Sequence, residues 1–479
     1  MKSEYIATIG IECHVQLKTK TKLFASVDND AREADPNTLV SPICFGMPGA
    51  LPVLNEKAIY LATRAAFALG VEPQKFSKFD RKHYFYPDLP LGYQITQFEE
   101  PIILGGNVKI VVEGVSKNIG ITRAHLEADA GKSTHPGAKA YSLVDLNRAG
   151  TPLLEIVSEP DMHTAAEARA YAHELWLLMR YADVSFANLY YGNMRFDVNV
   201  SVSKDPNILG TRTETKNLNS FKSVEKSVEY EIKRQSELID GGGVIAQETR
   251  GWDDAKQKTY SMRTKEDAHD YRYFPDADIP PLLISQEYID DIKNQMTTMP
   301  YVYRERLRKI GQDEAQVETI IDEPEIAELM SKIIEHNDEK TSKTIANWFT
   351  GELLRFVIDE QITWQDTLDK SIRFVKLAEM VTGNKLSSTA AKSLLLDIVQ
   401  KGSDPEQLAT EKNLLQVSDT AELESIVISV LDSNIDAAAD VKNGEMKAIG
   451  FLVGQVMKAS AGKANPGVVQ QIIRKILGV

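Results

Sequence analysis

The chain has 479 residues, of which 43% are hydrophobic and 26% charged, the composition of a soluble globular protein with about three domains. A net charge of −14 argues against a protein that coats nucleic acid with its whole surface, while it allows a local basic patch. No apolar run is long enough to span a membrane, Glu4 and Thr8 interrupt any signal-peptide core, and two cysteines cannot form a disulfide framework, so we expect a cytoplasmic protein without membrane contact.

The first predicted element is a strand over residues 9–18, I-G-I-E-C-H-V-Q-L-K, where apolar and polar residues alternate without a break. Glu12 and His14 share its polar face, and both side chains can bind metal ions. Cys13 falls on the apolar face and is interpreted as a small core residue. Taken alone, a solvated strand face with a Glu–His hydrogen bond explains this pattern more often than a metal site does.

Helical and strand patterns then mix without regular alternation as far as residue 290, which predicts an α+β domain with a largely antiparallel sheet. Helical spacing occurs at 55–69, 165–180 and 221–238. Three prolines make 273–283 an extended connection. After residue 290 the pattern is almost entirely helical, at 322–337, 340–360, 372–382 and 388–399, with a short linker at 401–405. We therefore predict domains at 1–290, 291–402 and 403–479, the last two all-helical.

Two further stretches before residue 280 place acids where metal binding could use them. If 123–132 is extended, His125 and Glu127 form a second His/Glu pair two residues apart, although a salt-bridged surface strand explains the same pattern equally well. Glu155 interrupts the apolar run L-L-E-I-V, and an acid there is costly unless it is paired or bound to metal. This favours a functional interpretation of Glu155.

Cationic and amide groups follow on predicted polar strand faces, and such groups hold phosphates and carboxylates, although a plain polar sheet face would look the same. These residues are Arg195, Lys216, Asn217 and Asn219. Lys82 lies among aromatic residues, including Tyr84, that could stack on a base or belong to the core. Because P-loop, zinc-site and hydrolase motifs are absent and oxygen ligands dominate, the residues indicate a sheet enzyme that uses Mg²⁺ or Mn²⁺ and a nucleotide.

The same stretches resemble a known family, the B subunits of the aspartyl/glutamyl-tRNA amidotransferases. The matching stretches cover most of 1–285 in order: I-G-I-E-C-H-V-Q-L-K-T, K-F-D-R-K-H-Y-F-Y-P-D-L-P, H-L-E-A-D-A-G-K-S-T-H, D-L-N-R-A-G-T-P-L-L-E-I-V-S-E-P-D, T-K-N-L-N-S-F and D-Y-R-Y-F-P-D-A-D-I-P-P-L. The helical remainder is similar in layout but less distinctive.

The resemblance implies a cradle-shaped catalytic domain, a helical domain and a small tail that contacts tRNA. It also implies a heterotrimer whose A subunit is an amidase and whose C subunit is small. The implied reaction uses ATP and Mg²⁺ to phosphorylate the side-chain carboxylate of Glu-tRNA(Gln) or Asp-tRNA(Asn), after which ammonia from the amidase displaces phosphate. Two alternatives remain open: a carboxylate–amine ligase acting on a free amino acid, and a non-catalytic scaffold that binds tRNA.

The resemblance also implies roles for individual residues. The metal set is Glu12, His14, Glu127 and Glu155, with Glu12 and His14 also catalytic. Catalytic cations are Lys82, Arg148 and Lys216, and nucleotide-binding groups are Tyr84, Lys132, Arg195, Asn217 and Asn219. One departure concerns Ala128, where the family commonly has a second acid. Strand parity favours Glu127 as the ligand at this corner, provided that the strand continues beyond Leu126.

The C-terminal 39 residues are basic, in contrast to the rest of the chain. They carry Lys442, Lys447, Lys458, Lys463, Arg474 and Lys475 against the single acid Glu445. This asymmetry is typical of a nucleic-acid contact, and a basic tail packed on an acidic partner explains it about as well. With the resemblance, it predicts that the helical and tail domains bind tRNA.

Overall fold

The computed structural model describes residues 5–137, 139–264, 270–416, 420–460 and 464–479. The chain forms two compact units, Met1–Met299 and Pro300–Val479. Within the described ranges, none of the helices has both the length and the apolar composition that crossing a bilayer requires.

All the described strands belong to the first unit. They are β1 Ile6–Gln16, β2 Phe76–Ser77, β3 Asp80–His83, β4 Tyr93–Thr96, β5 Ile103–Leu104, β6 Asn107–Val112, β7 Val115–Ala128, β8 Lys132–Thr134, β9 Leu143–Asp145, β10 Pro152–Ser158, β11 Met194–Ser203, β12 Thr213–Leu218, β13 Glu248–Asp253, β14 Lys258–Thr264, β15 Phe274–Pro275 and β16 Leu282–Leu283. The predicted strand over 9–18 is thus β1, displaced toward the N-terminus.

Twelve of these strands form one sheet, in the order β14-β13-β12-β11-β1-β10-β7-β4-β3-β15, with β5 and β6 paired to β7. Every pairing is antiparallel except that of β12 with β13. This confirms the predicted α+β class with a largely antiparallel sheet. Strand β1 lies near the middle, between β11 and β10, so its polar face is flanked on both sides.

The alternation of apolar and polar residues in β1 determines which face of the sheet is covered by helices. Ile9, Ile11, Cys13 and Val15 are at most 1% exposed and belong to the main core of the unit. Packing such side chains out of water drives the helices onto that face, at about 25 cal/mol per Å² of apolar area. The intervening polar residues face the opposite side, which leaves Glu12 and His14 on an accessible surface.

The described residues of this unit also form four helices: α1 Glu56–Ala68, α2 Ala165–Tyr181, α3 Phe221–Asp240 and α4 Gln286–Asn294. The first three confirm the predicted helices, and each begins at a side-chain cap, from Asn55, Thr164 and Ser220 respectively. Helix α2 packs on β6 and helix α3 on β11. Helix α4 was not predicted, since the proline-rich run before it suggested a longer connection.

The second unit is helical throughout its described residues. Its α-helices are α5 Pro300–Lys309, α6 Glu314–Ile321, α7 Pro324–His336, α8 Glu339–Trp348, α9 Leu354–Ile358, α10 Ser371–Thr382, α11 Ser388–Lys401, α12 Pro405–Glu411, α13 Thr420–Ser433, α14 Ile435–Lys442, α15 Ala448–Ala459 and α16 Pro466–Leu477. A π-helical turn, Phe349–Leu353, joins α8 to α9, so the predicted helix over 340–360 is continuous but locally widened. The four predicted helices between 322 and 399 are confirmed, whereas α5 and α6 were not predicted.

The end of the chain has an apolar core of its own, formed by α13 to α16. Asn465 caps α16 and Pro466 is its first residue, which confirms the predicted helix start. Lys463 of the basic tail lies outside the described residues. The domain boundaries at 290 and 402 stay predictions.

Candidate metal centre on the polar face of the sheet

Four neighbouring strands place their polar residues in one row across the sheet. His14 of β1 is paired with Glu155 of β10 on one side and with Arg195 of β11 on the other. Glu155 is in turn paired with His125 of β7. Because side chains directly opposite each other in a sheet lie on the same face, these four groups converge on the side away from the helices.

Two imidazoles and two carboxylates meet at the centre of this row. His14 Nε2 lies 3.6 Å from Glu155 Oε2 and 3.7 Å from Glu127 Oε1. His125 Nε2 lies 3.4 Å from Glu155 Oε2 and 3.8 Å from Glu127 Oε2. One ligand atom from each of His14, Glu127 and Glu155 lies within 4.8 Å of the others. We call these three residues the metal group.

Burial strengthens the electrostatic coupling in the metal group. Burial by itself would lower the pKa of His14, but its hydrogen bond to Glu155 and the charges of Glu155 and Glu127 raise that pKa to about 9. Burial would raise the pKa of Glu155, and the two imidazoles instead hold it well below its usual range. Glu155 therefore stays ionised, and the site attracts positive charge, either as a proton on an imidazole or as a metal ion.

The residues of the metal group fit a divalent cation. Magnesium binds its ligands at about 2.1 Å, so two ligands on opposite sides of one ion are about 4.2 Å apart. Three atoms within 4.8 Å of one another therefore need to shift by only a few tenths of an ångström. Two carboxylates and one imidazole suit Mg²⁺ or Mn²⁺, with other oxygen ligands completing the shell.

Glu12 was predicted as a metal ligand, and it lies on the same face without belonging to the metal group. Its Oε1 accepts a hydrogen bond of 3.0 Å from Asn199 Nδ2. Burial, followed by the charge of Glu155, raises the pKa of Glu12. Glu12 also lines a cavity of about 270 Å³ together with Arg212 and Asn199. Glu12 is thus placed where it can receive a ligand beside the metal group.

Lys216 lies on β12, one strand beyond β11. Its Nζ is 3.0 Å from Glu214 Oε1 and 3.2 Å from Asp197 Oδ2. Burial alone would lower the pKa of Lys216, and these two acids raise it, so the ammonium stays charged. The backbone N–H of Asn217 donates to Asp197 Oδ1 at 2.8 Å, which gives Asn217 a structural role at a positive φ of 61°. Asn219 is exposed just beyond the strand.

A second set of charged groups surrounds the carboxylate of Asp129. Arg195 Nη2 donates to Asp129 Oδ2 at 3.2 Å, and Arg148 Nε lies 3.4 Å from the same oxygen. Arg148 also donates to the backbone carbonyls of Ala130 and Gly131. Lys132 is exposed on the short strand β8. Arg195, Arg148 and Lys132 therefore line one edge of the polar face, next to residue 129.

Lys82 lies on β3 and interacts electrostatically with the metal group. Burial would lower its pKa, but the charge of Glu127 raises it, so the ammonium and the carboxylate lie within electrostatic range. The Lys82 Nζ is 5.0 Å from the ring centre of Tyr271 and 5.9 Å from that of Tyr84. Tyr84 donates to Gln94 Oε1 at 3.3 Å. Aromatic faces on two sides hold Lys82 in place through cation–π contacts.

Strand β7 continues to Ala128, so the parity that favours Glu127 over position 128 holds. Ala128 is paired with Pro152, and its carbonyl accepts from Gln94 Nε2 at 3.0 Å. Sequence reasoning left His125 out of the metal set and assigned no site role to Asp197 or Tyr271. The His125–Glu127 spacing was the available signal for the first, whereas no local signal places Tyr271 beside Lys82.

The fold and the polar face together define a class: a sheet enzyme with a candidate metal centre flanked by cationic side chains. Comparison with known proteins narrows this class. A family model described as the GatB/GatE catalytic domain matches residues 7–290, and a second, described as a GatB domain, matches residues 328–477. The chain therefore belongs to the GatB family.

Relatives match over nearly the whole chain. Proteins from Carboxydothermus hydrogenoformans and Geotalea daltonii are 44% and 45% identical to it, covering 98% and 99% of this chain and 98% and 99% of their own lengths. A protein from Persephonella marina is 43% identical, covering 99% of this chain and 100% of its own length. Each is named as the B subunit of an aspartyl/glutamyl-tRNA(Asn/Gln) amidotransferase.

Proposed function

We propose that in this chain the side-chain carboxylate of a mischarged Glu-tRNA(Gln) or Asp-tRNA(Asn) is activated by ATP and converted to an amide. Its membership of the GatB family supports the tRNA-dependent amidotransferase activity. The observation that carries the site is the metal group, in which His14, Glu127 and Glu155 bring their ligand atoms within 4.8 Å.

The chemistry explains why such a site is needed. A free carboxylate is a poor acyl donor because oxide would have to leave. Phosphoryl transfer from ATP to the carboxylate oxygen forms an acyl phosphate and releases ADP. Ammonia then attacks the acyl carbon, phosphate leaves, and the amide forms after loss of a proton. A bound Mg²⁺ would supply charge neutralisation, which lets two anions approach each other.

The cations of the polar face have separate tasks in this proposal. Lys82, beside Tyr271 and within electrostatic range of Glu127, binds the phosphoryl group near the metal group. Lys216, on the far side of β11, and Arg195 hold the substrate carboxylate and phosphates from the opposite edge. Arg148, beside Asp129, and Lys132, on β8, line a common pocket, and Tyr84 lies near the nucleotide.

The proposal requires partners that supply ammonia and hold the tRNA body. We infer a heterotrimer whose A subunit is an amidase and whose C subunit is small, acting in the cytoplasm as translation enzymes do. The basic residues of the C-terminal tail give the tRNA an electrostatic contact. Of these, Lys475 pairs with Glu424 at 2.8 Å, while Lys447, Lys458 and Arg474 form no ion pair with any described residue.

The test is amidation by the assembled complex. Mischarged Glu-tRNA(Gln) or Asp-tRNA(Asn) is incubated with ATP, Mg²⁺ and glutamine, and the amino acid is released from the tRNA and identified. The wild-type complex is expected to yield glutamine or asparagine. Glu155→Gln should reduce the rate by about 10²- to 10³-fold, the usual cost of losing one charge-stabilising group. Unchanged amidation by this variant would refute the site assignment.

A matched control is the glutamate that directly follows β10. Glu159 accepts from Thr122 Oγ1 at 2.8 Å and lies outside the metal group, so Glu159→Gln should retain the wild-type rate. The two alternatives predict different results. ATP-dependent amidation of free glutamate without tRNA would indicate a free-amino-acid ligase. Binding of tRNA without ATP consumption in the complete complex would indicate a scaffold.

A further inference from the structure

A large pocket begins where the polar face of β1 ends. It encloses about 770 Å³, and Gln16 and Lys18 are among its lining residues. These two residues continue the parity of Glu12 and His14, so the pocket lies on the same side of the sheet as the metal group. Arg148 and Lys132, at the edge of the polar face, line it as well.

Two exposed aromatic rings from the loop between α2 and β11 form one wall of this pocket. Phe186 is 63% exposed and Tyr191 is 48% exposed. The guanidinium of Arg32 lies 5.8 Å from the ring centre of Phe186 and 5.7 Å from that of Tyr191. Lys18 Nζ is also 5.8 Å from the Phe186 ring. Leaving large aromatic rings in water is unfavourable, and flat rings with adjacent cations are a surface on which nucleobases stack.

The acidic residues that line the pocket are paired locally, so some of its lysines are available to bind phosphate. Asp30 pairs with Arg32 at 2.7 Å, and Asp28 accepts from the backbone N–H of Asp30 at 2.9 Å. Asp145 accepts from the backbone N–H groups of Asn37 and Asn147. These acids are thus occupied by local donors. Lys20 and Lys132 form no ion pair among the described residues and can contact phosphates.

The distance from the pocket to the metal group fits the aminoacylated 3′ end of a tRNA. Strands rise about 3.3 Å per residue, so Gln16 lies about 7 Å and Lys18 about 13 Å along β1 from His14. An aminoacyl group is esterified to the terminal ribose of tRNA, so its base lies one ribose and one amino-acid side chain away from the reacting carboxylate. That span is of the same order as the step from the pocket to the metal group.

We propose that this pocket binds the 3′-terminal adenosine of the substrate tRNA, with the base stacked on Phe186 and Tyr191 and the adjoining phosphates held by Lys20 and Lys132. The esterified amino acid then extends along β1 toward His14. This inference rests on the proposed function and adds a positioning site for its substrate. Such a site fixes the position of the reacting carboxylate without contacting the amino-acid side chain.

The experiment compares two forms of one tRNA in binding to the assembled complex. One form is intact and the other lacks only its 3′-terminal adenosine, so the affinity ratio isolates the contribution of that nucleotide. The wild-type complex should bind the intact form about 5- to 100-fold more tightly, the range expected for one stacked base. Phe186→Ala and Tyr191→Ala should bring the ratio close to one while leaving the affinity for the shortened tRNA unchanged.

Two further variants separate stacking from a general structural effect. Phe186→Trp keeps a flat ring and should preserve the wild-type ratio. Tyr190, which is 88% exposed and touches Tyr191 without lining the pocket, provides Tyr190→Ala as a control that should also preserve it. A ratio that stays at the wild-type value in both alanine variants overturns the proposal.

ATP also carries adenine, so its binding is measured on the same proteins by equilibrium dialysis. We expect Phe186→Ala to leave ATP affinity unchanged. Weakened ATP binding with an unchanged tRNA ratio would assign the pocket to the nucleotide and overturn the proposal. If amidation proceeds but the wild-type ratio is one, only the adenosine site fails, whereas absence of ATP-dependent amidation contradicts the proposed function itself.

Discussion

Buried carboxylates occur in two parts of the sheet unit, and their surroundings differ. Glu231 on α3 is fully buried, and its oxygens receive Arg234 Nη2 at 2.7 Å, Arg250 Nε at 3.1 Å and Thr213 Oγ1 at 2.8 Å. Glu127 and Glu155 lie 3.4 Å or more from two imidazoles and form no ion pair with a lysine or arginine among the described residues.

The difference separates a structural group from a candidate functional one. A buried charge that is fully paired joins secondary-structure elements, as Glu231 joins α3 to β12 and β13. Acids that are brought together with long contacts retain unused lone pairs, which is the condition for binding a cation. The metal group therefore has carboxylate oxygens that can bind a ligand, whereas the oxygens of Glu231 are already paired with arginine and hydroxyl groups.

The largest expected effect concerns the completed network. Glu231→Gln removes one partner of a buried ion pair and leaves two arginines short of a counter-charge, so the unfolding free energy should fall by about 3–5 kcal/mol. Denaturant unfolding of the chain measures this. Glu237→Gln on the same helix, whose carboxylate is 68% exposed and 3.8 Å from Lys233, should change stability little. Equal effects of the two variants would remove the contrast between the two groups of acids.

The next effect concerns the incomplete group. Mg²⁺ bound only by the folded chain stabilises it, by about 2.7 kcal/mol when the ion is present at a hundred times its dissociation constant. Thermal unfolding with increasing Mg²⁺ should show this for the wild type and for Glu159→Gln. The increase should disappear in Glu127→Gln and Glu155→Gln. A Tm that responds to Mg²⁺ equally in all four proteins would mean that the ion binds elsewhere.

A smaller effect is expected in the pH dependence of stability. Burial would raise the pKa of Glu231, but hydrogen bonds from Arg234 and Thr259 lower it below the ordinary glutamate value of 4.5. Its ionised form thus stabilises the folded state above that pH, and the contribution is lost as the pH falls through the folded-state pKa. The stability difference between wild type and Glu231→Gln should shrink in acid. A constant difference from pH 7 to pH 3 would contradict this.

The smallest effect is expected at the C-terminal tail, where Lys447, Lys458 and Arg474 form no ion pair among the described residues. Replacing Lys447, Lys458 and Arg474 by glutamine should weaken tRNA binding and flatten its salt dependence by about 0.7–0.9 logarithmic units for each phosphate that is no longer neutralised. Lys475→Gln provides the control, because Glu424 already pairs with this lysine at 2.8 Å. An unchanged salt slope in the triple variant would indicate that these residues are structural.

Part of the candidate site could be predicted because some of its residues are close together in the sequence of one strand. The spacing of Glu12 and His14, and that of His125 and Glu127, follows from the period of two residues in an extended chain. Glu155 was recognisable as an acid in an apolar run. The ion pair of Arg195 with Asp129 could not be predicted, because it joins residues on different strands whose register depends on the whole sheet.

Sequence by itself determined which residues face the same way, which segments are helical, and which family the chain resembles, since these depend on local periodicity and on long matching stretches. Only the tertiary structure decided that His14 meets Glu127 and Glu155, that Lys82 lies against Tyr271, and that Glu12 stands beside the metal group. The physical reason is that strand order and register bring distant residues together, and these are fixed by packing across the whole sheet rather than by any single segment.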